Sequence, residues 1–220
     1  DCSGGGGSTI NSVAETGSVS VTWEFPDGLE GEPIGWDFNA NGDYIVPSGK
    51  NLYITNVFTT DGYAFRINGM KIIDEQWSTN VDYAGNEGML KLPLCAKAGD
   101  VVSNSNQNAD NTFYGILMDA LVEPITFEFD EPGSGFENYT VPNDKKLYVT
   151  NIWAYGGEET NLTIDGVVIG TEPFNKASDH QSKSLEIPLI VNSNSVISMP
   201  DNFASFNGYL ADVDYFSSAG

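Results

Sequence analysis

Apolar and polar residues alternate along this chain in short runs, and no window holds a sustained helical spacing. Val21-Thr22-Trp23-Glu24-Phe25 and Ile125-Thr126-Phe127-Glu128-Phe129 throw successive side chains to opposite faces and read as strands. Between them, strands are expected at Tyr44 to Val46, Leu52 to Phe58, 63–67, 70–73, Met89 to Ala96, Val101 to Ser103 and Thr112 to Asp119. After them, strands are expected at Tyr139 to Val141, Leu147 to Ala154, Asn161 to Ile164, Val167 to Ile169, Leu185 to Val191, Val196 to Met199 and Phe206 to Tyr215. Turn residues punctuate the runs: Pro47-Ser48-Gly49-Lys50 reads as a reverse turn, and Asn68-Gly69 is the strongest short hairpin signal.

The two series of strands are copies of each other. Val46-Pro47-Ser48-Gly49-Lys50-Asn51-Leu52-Tyr53-Ile54-Thr55-Asn56-Val57 returns as Val141-Pro142-Asn143-Asp144-Lys145-Lys146-Leu147-Tyr148-Val149-Thr150-Asn151-Ile152. Further along, Ile67-Asn68-Gly69 matches Ile164-Asp165-Gly166, and Leu92-Pro93-Leu94 matches Ile187-Pro188-Leu189. Gly115-Ile116-Leu117-Met118-Asp119 matches Gly208-Tyr209-Leu210-Ala211-Asp212. A period of about 95 residues fits a duplicated domain rather than a solenoid of small repeats. The chain therefore divides into a leader over 1–18, a first domain over 19–121 and a second over 122–220.

Seven or eight short strands per unit predict an all-β protein of two tandem β-sandwich domains, jelly-roll-like and related by internal duplication. The runs Lys91 to Asp100 and Asn207 to Leu210 resemble strand-turn-strand signatures of cupin-like jelly rolls. An immunoglobulin-like sandwich is the other candidate, without the Cys…Trp…Cys spacing of true immunoglobulin domains. The link from Ala120 to Pro124 is short enough to predict a fixed arrangement of the two units.

Composition narrows the function. The chain has 9 Lys plus Arg against 31 Asp plus Glu, a formal charge of −22. Phosphate backbones would be repelled, so no nucleic-acid partner is expected. No stretch approaches the roughly 20 apolar residues of a membrane-spanning helix. The chain has 2 cysteines, which makes no disulfide scaffold; Cys95 reads as a buried small hydrophobe. Cys2, followed by Ser3-Gly4-Gly5-Gly6-Gly7-Ser8, resembles the start of a mature bacterial lipoprotein, with Asp1 as the departure. That resemblance implies lipid attachment at Cys2, an outer-surface or extracellular location, and no other membrane contact.

The sharpest chemical motif is Asp37-Phe38-Asn39-Ala40-Asn41-Gly42-Asp43. Oxygen-bearing side chains at Asp37, Asn39, Asn41 and Asp43, with a glycine between the last two, resemble the first half of an EF-hand calcium loop. Ser48 stands where a bidentate glutamate is needed, so the expected ion is a structural Ca2+ completed by an acid from elsewhere. An Asx-rich turn explains the same residues without metal. The chain has 1 histidine: His180, read as a loop residue, is too few for a cupin metal site. No nucleophile elbow and no phosphate loop are present. No catalytic residues are assigned. Trp23 reads as core. Trp36, Trp77, Trp153 and Tyr155 read as loop or strand-edge rings able to meet a sugar face or a protein partner. Asn56 and Asn151, like Asp119 and Asp212, read as local fold devices. The expected function is a non-catalytic extracellular recognition or display module in a larger assembly. A structural spike, fibre or secretion-assembly subunit is one alternative, and a carbohydrate-binding component of glycan uptake is another. Protein partners or a homo-oligomer are expected, with glycan as the other ligand class.

Overall fold

A computed structural model describes residues 22–58, 64–74, 88–105, 111–129, 138–155, 162–170, 180–199 and 203–217. They form sixteen strands and one helical turn. The first domain has β1 (Glu32–Asp37), the turn α1 (Phe38–Asn41), β2 (Tyr44–Ile45), β3 (Lys50–Phe58), β4 (Ala64–Ile67), β5 (Met70–Asp74), β6 (Gly88–Lys97), β7 (Val101–Asn104) and β8 (Thr112–Asp119). The second has β9 (Glu123–Phe129), β10 (Tyr139–Thr140), β11 (Lys145–Tyr155), β12 (Leu162–Ile164), β13 (Val167–Gly170), β14 (His180–Val191), β15 (Val196–Ser198) and β16 (Phe203–Asp212).

All pairings are antiparallel. The first domain has sheets ordered β1-β8-β3-β6 and β2-β7-β4-β5; the second has β9-β16-β11-β14 and β10-β15-β12-β13. The second pair repeats the first strand for strand. Interleaving early and late strands within two four-stranded sheets is the eight-strand jelly-roll arrangement. An immunoglobulin sandwich orders its strands differently.

Local sequence explains the repeat. Asn68 and Gly69 have φ of 53° and 81°, and Asp165 and Gly166 have 51° and 76°. Two successive left-handed residues make the tight turn that suits the twist of paired strands. Lys50 pairs with Asp119 at 2.6 Å and Lys145 with Asp212 at 2.7 Å, joining the same strand ends in both copies. Four aromatic positions recur in the two cores. Trp36, Phe38, Tyr44 and Phe113 occupy the places of Phe127, Phe129, Tyr139 and Phe206. Their rings meet largely edge to face, at 4.8 Å between Trp36 and Tyr44 and 5.1 Å between Phe127 and Tyr139.

Each domain also carries matched irregularities, one of them in the central strand β3 or β11. Register shifts between Ile54 and Asn56 and between Val149 and Asn151. Opposite them, Gly115 and Gly208 bring strands so close that a Cβ would lie 2.5 Å from the Tyr53 carbonyl oxygen and 2.1 Å from that of Tyr148. On the other side of β3 and β11, the edge strands β6 and β14 carry several extra residues, Leu90 to Pro93 and Leu185 to Pro188. These bulges push each edge outward.

Three expectations are corrected. Residues 22–25 form no strand, and Trp23 is 45% exposed rather than core. The first strand is Glu32-Pro33-Ile34-Gly35-Trp36-Asp37, and its register on β8 makes it the counterpart of Glu123-Pro124-Ile125-Thr126-Phe127-Glu128 on β16. Both candidate segments share the same short alternation; pairing with β8 selects the later one. Residues 180–183 belong to β14 rather than a loop, and β16 ends at Asp212, with turns following to Ser217.

Candidate interaction surfaces

The sequence-derived site residues scatter. Asp37 caps α1: its Oδ1 accepts from the backbone N–H of Asn39 at 2.9 Å and of Ala40 at 3.2 Å. Asn41 Nδ2 donates to the Asp37 carbonyl at 3.1 Å, and Gly42 takes φ 74° at the end of the turn. The side chains of Asp37 and Asn41 are thus engaged in closing one helical turn. Among the described residues, no group of three or more His, Cys, Asp or Glu could hold a metal ion. Trp36 packs on the first core and donates from Nε1 to the Gly42 carbonyl at 2.9 Å. Trp153 lies within β11, 3% exposed, beneath the Lys71 ammonium at 5.4 Å from its ring. Trp77 and Cys2 lie outside the described residues, and of Tyr155 only its place at the end of β11 is described.

Trp153 points to a feature that sequence patterns do not reveal. The outer face of β9-β16-β11-β14 is buried by the first domain, which stands on it along its β5–β6 edge. Hydrogen bonds and an ion pair cross the seam beside a buried cluster of Tyr53, Cys95, Tyr148 and Tyr209. Asn207 on β16 accepts from the Cys95 backbone N–H at 2.7 Å and donates to the Cys95 carbonyl at 2.8 Å, closing a two-bond clasp on strand β6. Asn151 donates to the Pro93 carbonyl at 3.2 Å. Ser184 accepts from the Leu92 N–H at 3.0 Å and donates to its carbonyl at 3.1 Å. Ser205 donates to the Lys71 carbonyl. Lys91 reaches Glu186 at 2.5 Å. Asn151 therefore works between domains rather than as a local fold device.

The corner beneath this seam is filled by residues 22–28 and by the turns after β16. Phe25 packs on Tyr53 at 5.8 Å, Tyr209 donates to the Trp23 carbonyl at 2.9 Å, and Tyr215 to that of Pro26 at 2.7 Å. Asp27 accepts from Asn51 Nδ2 at 2.6 Å, the Tyr53 hydroxyl at 2.7 Å, and the backbone N–H groups of Leu121 and Val122 at 2.8 and 2.9 Å. Burial pushes the Tyr53 and Tyr209 hydroxyls and the Cys95 thiol well above their ordinary ranges.

Asn207→Ala should cost on the order of 2–3 kcal/mol in urea unfolding, because it strands the Cys95 N–H and C=O without their buried partners. A loss below about 0.5 kcal/mol would show that the clasp adds nothing net.

The second domain has the same edge, and within the chain nothing described rests on it. Val167, Val168 and Ile169 on β13 are exposed, and so are Ile187 and Ile190 on β14. The contrast between copies is sharpest at the bulge tips: Leu92 is 1% exposed and its counterpart Ile187 is 66% exposed. Singly exposed apolar residues are ordinary, but a contiguous set along one edge marks contact. Pairing patterns make β13 and β14 the repeats of β5 and β6, in line with the sequence matches at Gly69 with Gly166 and Pro93 with Pro188.

No family model matches the chain, and no curated protein matches it. A conserved protein of unknown function from Pseudomonas aeruginosa PAO1 is similar over 83% of this chain and 76% of its own, at 9% identity and a TM-score of 0.23. A likeness that slight carries no argument.

Proposed function

We propose that this chain is a non-catalytic recognition or display module that works by protein contact through the β13–β14 edge of its second domain. The observation that carries the reading is that edge: five branched aliphatic side chains exposed on β13 and β14 of a chain of formal charge −22. Soluble proteins rarely leave such an edge bare, because it presents both apolar surface and unpaired strand groups. The fate of the reactive groups supports the same reading. The buried Asp27 carboxylate holds the linker between domains, the Cys95 thiol is enclosed, and Trp36 and Trp153 are packed inward. A surface location with lipid attachment at Cys2 fits this role as part of the same proposal.

A photo-crosslinking residue placed at Val168 tests the reading in the cell that makes the protein. The expected result is a covalent adduct of protein mass, abolished when Ile187 is replaced by Glu. Absence of any protein adduct, together with binding to a glycan that the same change leaves intact, would contradict it.

A further inference from the structure

We infer that the partner of the β13–β14 edge is a second copy of this chain, which receives it on the outer face of its own β1-β8-β3 strands, so that copies add head to tail. The inference rests on the proposed role of that edge and names its partner. The chain already contains one example of the joint: an edge of two strands standing on the outer face of a four-stranded sheet. Duplication supplies both halves of that joint a second time. Among the described residues, the first domain's edge is used and the upper part of its outer face is uncovered; the second domain's face is used and its edge is uncovered.

The open face matches the occupied one position by position. Asn56 stands where Asn151 stands, and would reach the carbonyls of Ile187 and Pro188 as Asn151 reaches those of Leu92 and Pro93. Phe58 stands in the place of Trp153, opposite which Val168 replaces Lys71. Tyr114 replaces Asn207 and is 63% exposed; the residue it would face is Ile190, the counterpart of Cys95. Where the face gives up a polar group, the edge that would meet it changes to suit. Lysine over tryptophan becomes valine over phenylalanine, and an amide clasp becomes tyrosine against isoleucine.

The lower part of the first domain's face is covered by the segment before β1 and by the second domain, where Tyr53, Cys95 and Met118 cluster with Tyr148 and Tyr209. Gly31 lies so close that a Cβ there would touch Met118 and Ile116, and Phe25 covers Tyr53. This repeats the way the turns after β16 cover Tyr148, where Phe216 packs at 5.2 Å. Among the described residues, the upper part, around Asn56 and Tyr114, is left for docking, and this is the region the edge covers in the second domain. The joint is heterologous, so copies form an open chain or a ring rather than a closed pair.

The formal charge of −22 per chain opposes self-association at low salt. Added salt screens that repulsion over about 10 Å at 0.1 M and leaves apolar contact in place, so association should strengthen with salt. The test is sedimentation of the full chain and two variants at exposed positions, Ile187→Glu in the edge and Tyr114→Glu in the face, with Ile45→Glu, exposed on β2, as control. Wild type and control should grow in mass with concentration and salt. Each variant alone should associate at least tenfold more weakly. An equal mixture of the two variants should form a complex that stops at two chains, because one intact edge meets one intact face. Wild type that remains monomeric throughout overturns the inference, and a Val168 adduct with a different protein would then leave the proposed function standing. Tyr114→Glu associating as wild type would also overturn it, showing that edges pair with edges.

Discussion

Asp27→Ala should lose about 3–5 kcal/mol of stability, because several buried neutral donors lose their shared charged acceptor at once. Asp27 is 7% exposed and accepts four hydrogen bonds. Two come from the side chains of Asn51 and Tyr53 in the first domain, and two from the backbone of Leu121 and Val122 in the linker. Hydrogen bonds to a charged acceptor contribute about 1.5–3 kcal/mol each, and donors left without partners cost about 1–3 kcal/mol each. Asn51 would keep its bond to the Val122 carbonyl, at 2.9 Å, so the loss should fall short of the full sum. The carboxylate lies where the segment before β1, the first domain and the linker meet, so its removal should also uncouple the domains. Urea unfolding followed by two probes would show separate transitions in the variant. A loss under about 1 kcal/mol, with the transitions unchanged, would mean that Asp27 is not what fixes the joint.

Gly208→Ala should cost about 3 kcal/mol or more, the upper range for forcing extra volume into a packed site. The added Cβ would sit 2.1 Å from the Tyr148 carbonyl oxygen and 2.9 Å from the Val149 Cα. Both are backbone atoms of the central strand β11, so relief requires moving the strand itself. Gly115→Ala is the matched change in the first domain, with 2.5 Å to the Tyr53 oxygen. It should be severe for the same reason. Gly69→Ala supplies the contrast: its Cβ meets nothing within 4 Å and its φ is +81°. Only the left-handed backbone penalises it, by about 1–2 kcal/mol. Thermal unfolding of the three variants should rank Gly208 and Gly115 well above Gly69. Equal losses would show that the strand crossing adapts to a methyl group.

The repeat explains how much of the fold is legible in the chain. Val46 to Val57 and Val141 to Ile152 display their equivalence directly, so the duplicated sandwich can be read from them, as can the Asn68-Gly69 turn. The opening strand is harder to place because Val21 to Phe25 and Glu32 to Asp37 both alternate. Nothing local distinguishes a segment that pairs with β8 from one that fills the corner between domains. The glycines at 115 and 208 are visible as matches, but their reason is not: a close crossing is a property of two strands brought together.

The interaction surface is less legible still, and for a definite reason. Leu92 and Ile187 occupy the same place in matching patterns, yet one is buried and the other bare. Their difference arises from the asymmetry of having one copy before the other. In a pair of repeats joined edge to face, the last edge and the first face lack the neighbours their counterparts have. Trp153 looks like an exposed ring in the sequence for the same reason. Its ring lies beneath Lys71 and strands β5 and β6, which belong to the other domain.

Hydrogen exchange on the full chain at low and high concentration, at physiological salt, reports the edge and the face in one experiment. Head-to-tail association should add protection at 167–170 and 187–190 and, over the same concentration range, at 55–58 and 112–116, with β2 unchanged. Protection at the edge without the face, or at neither, would contradict it.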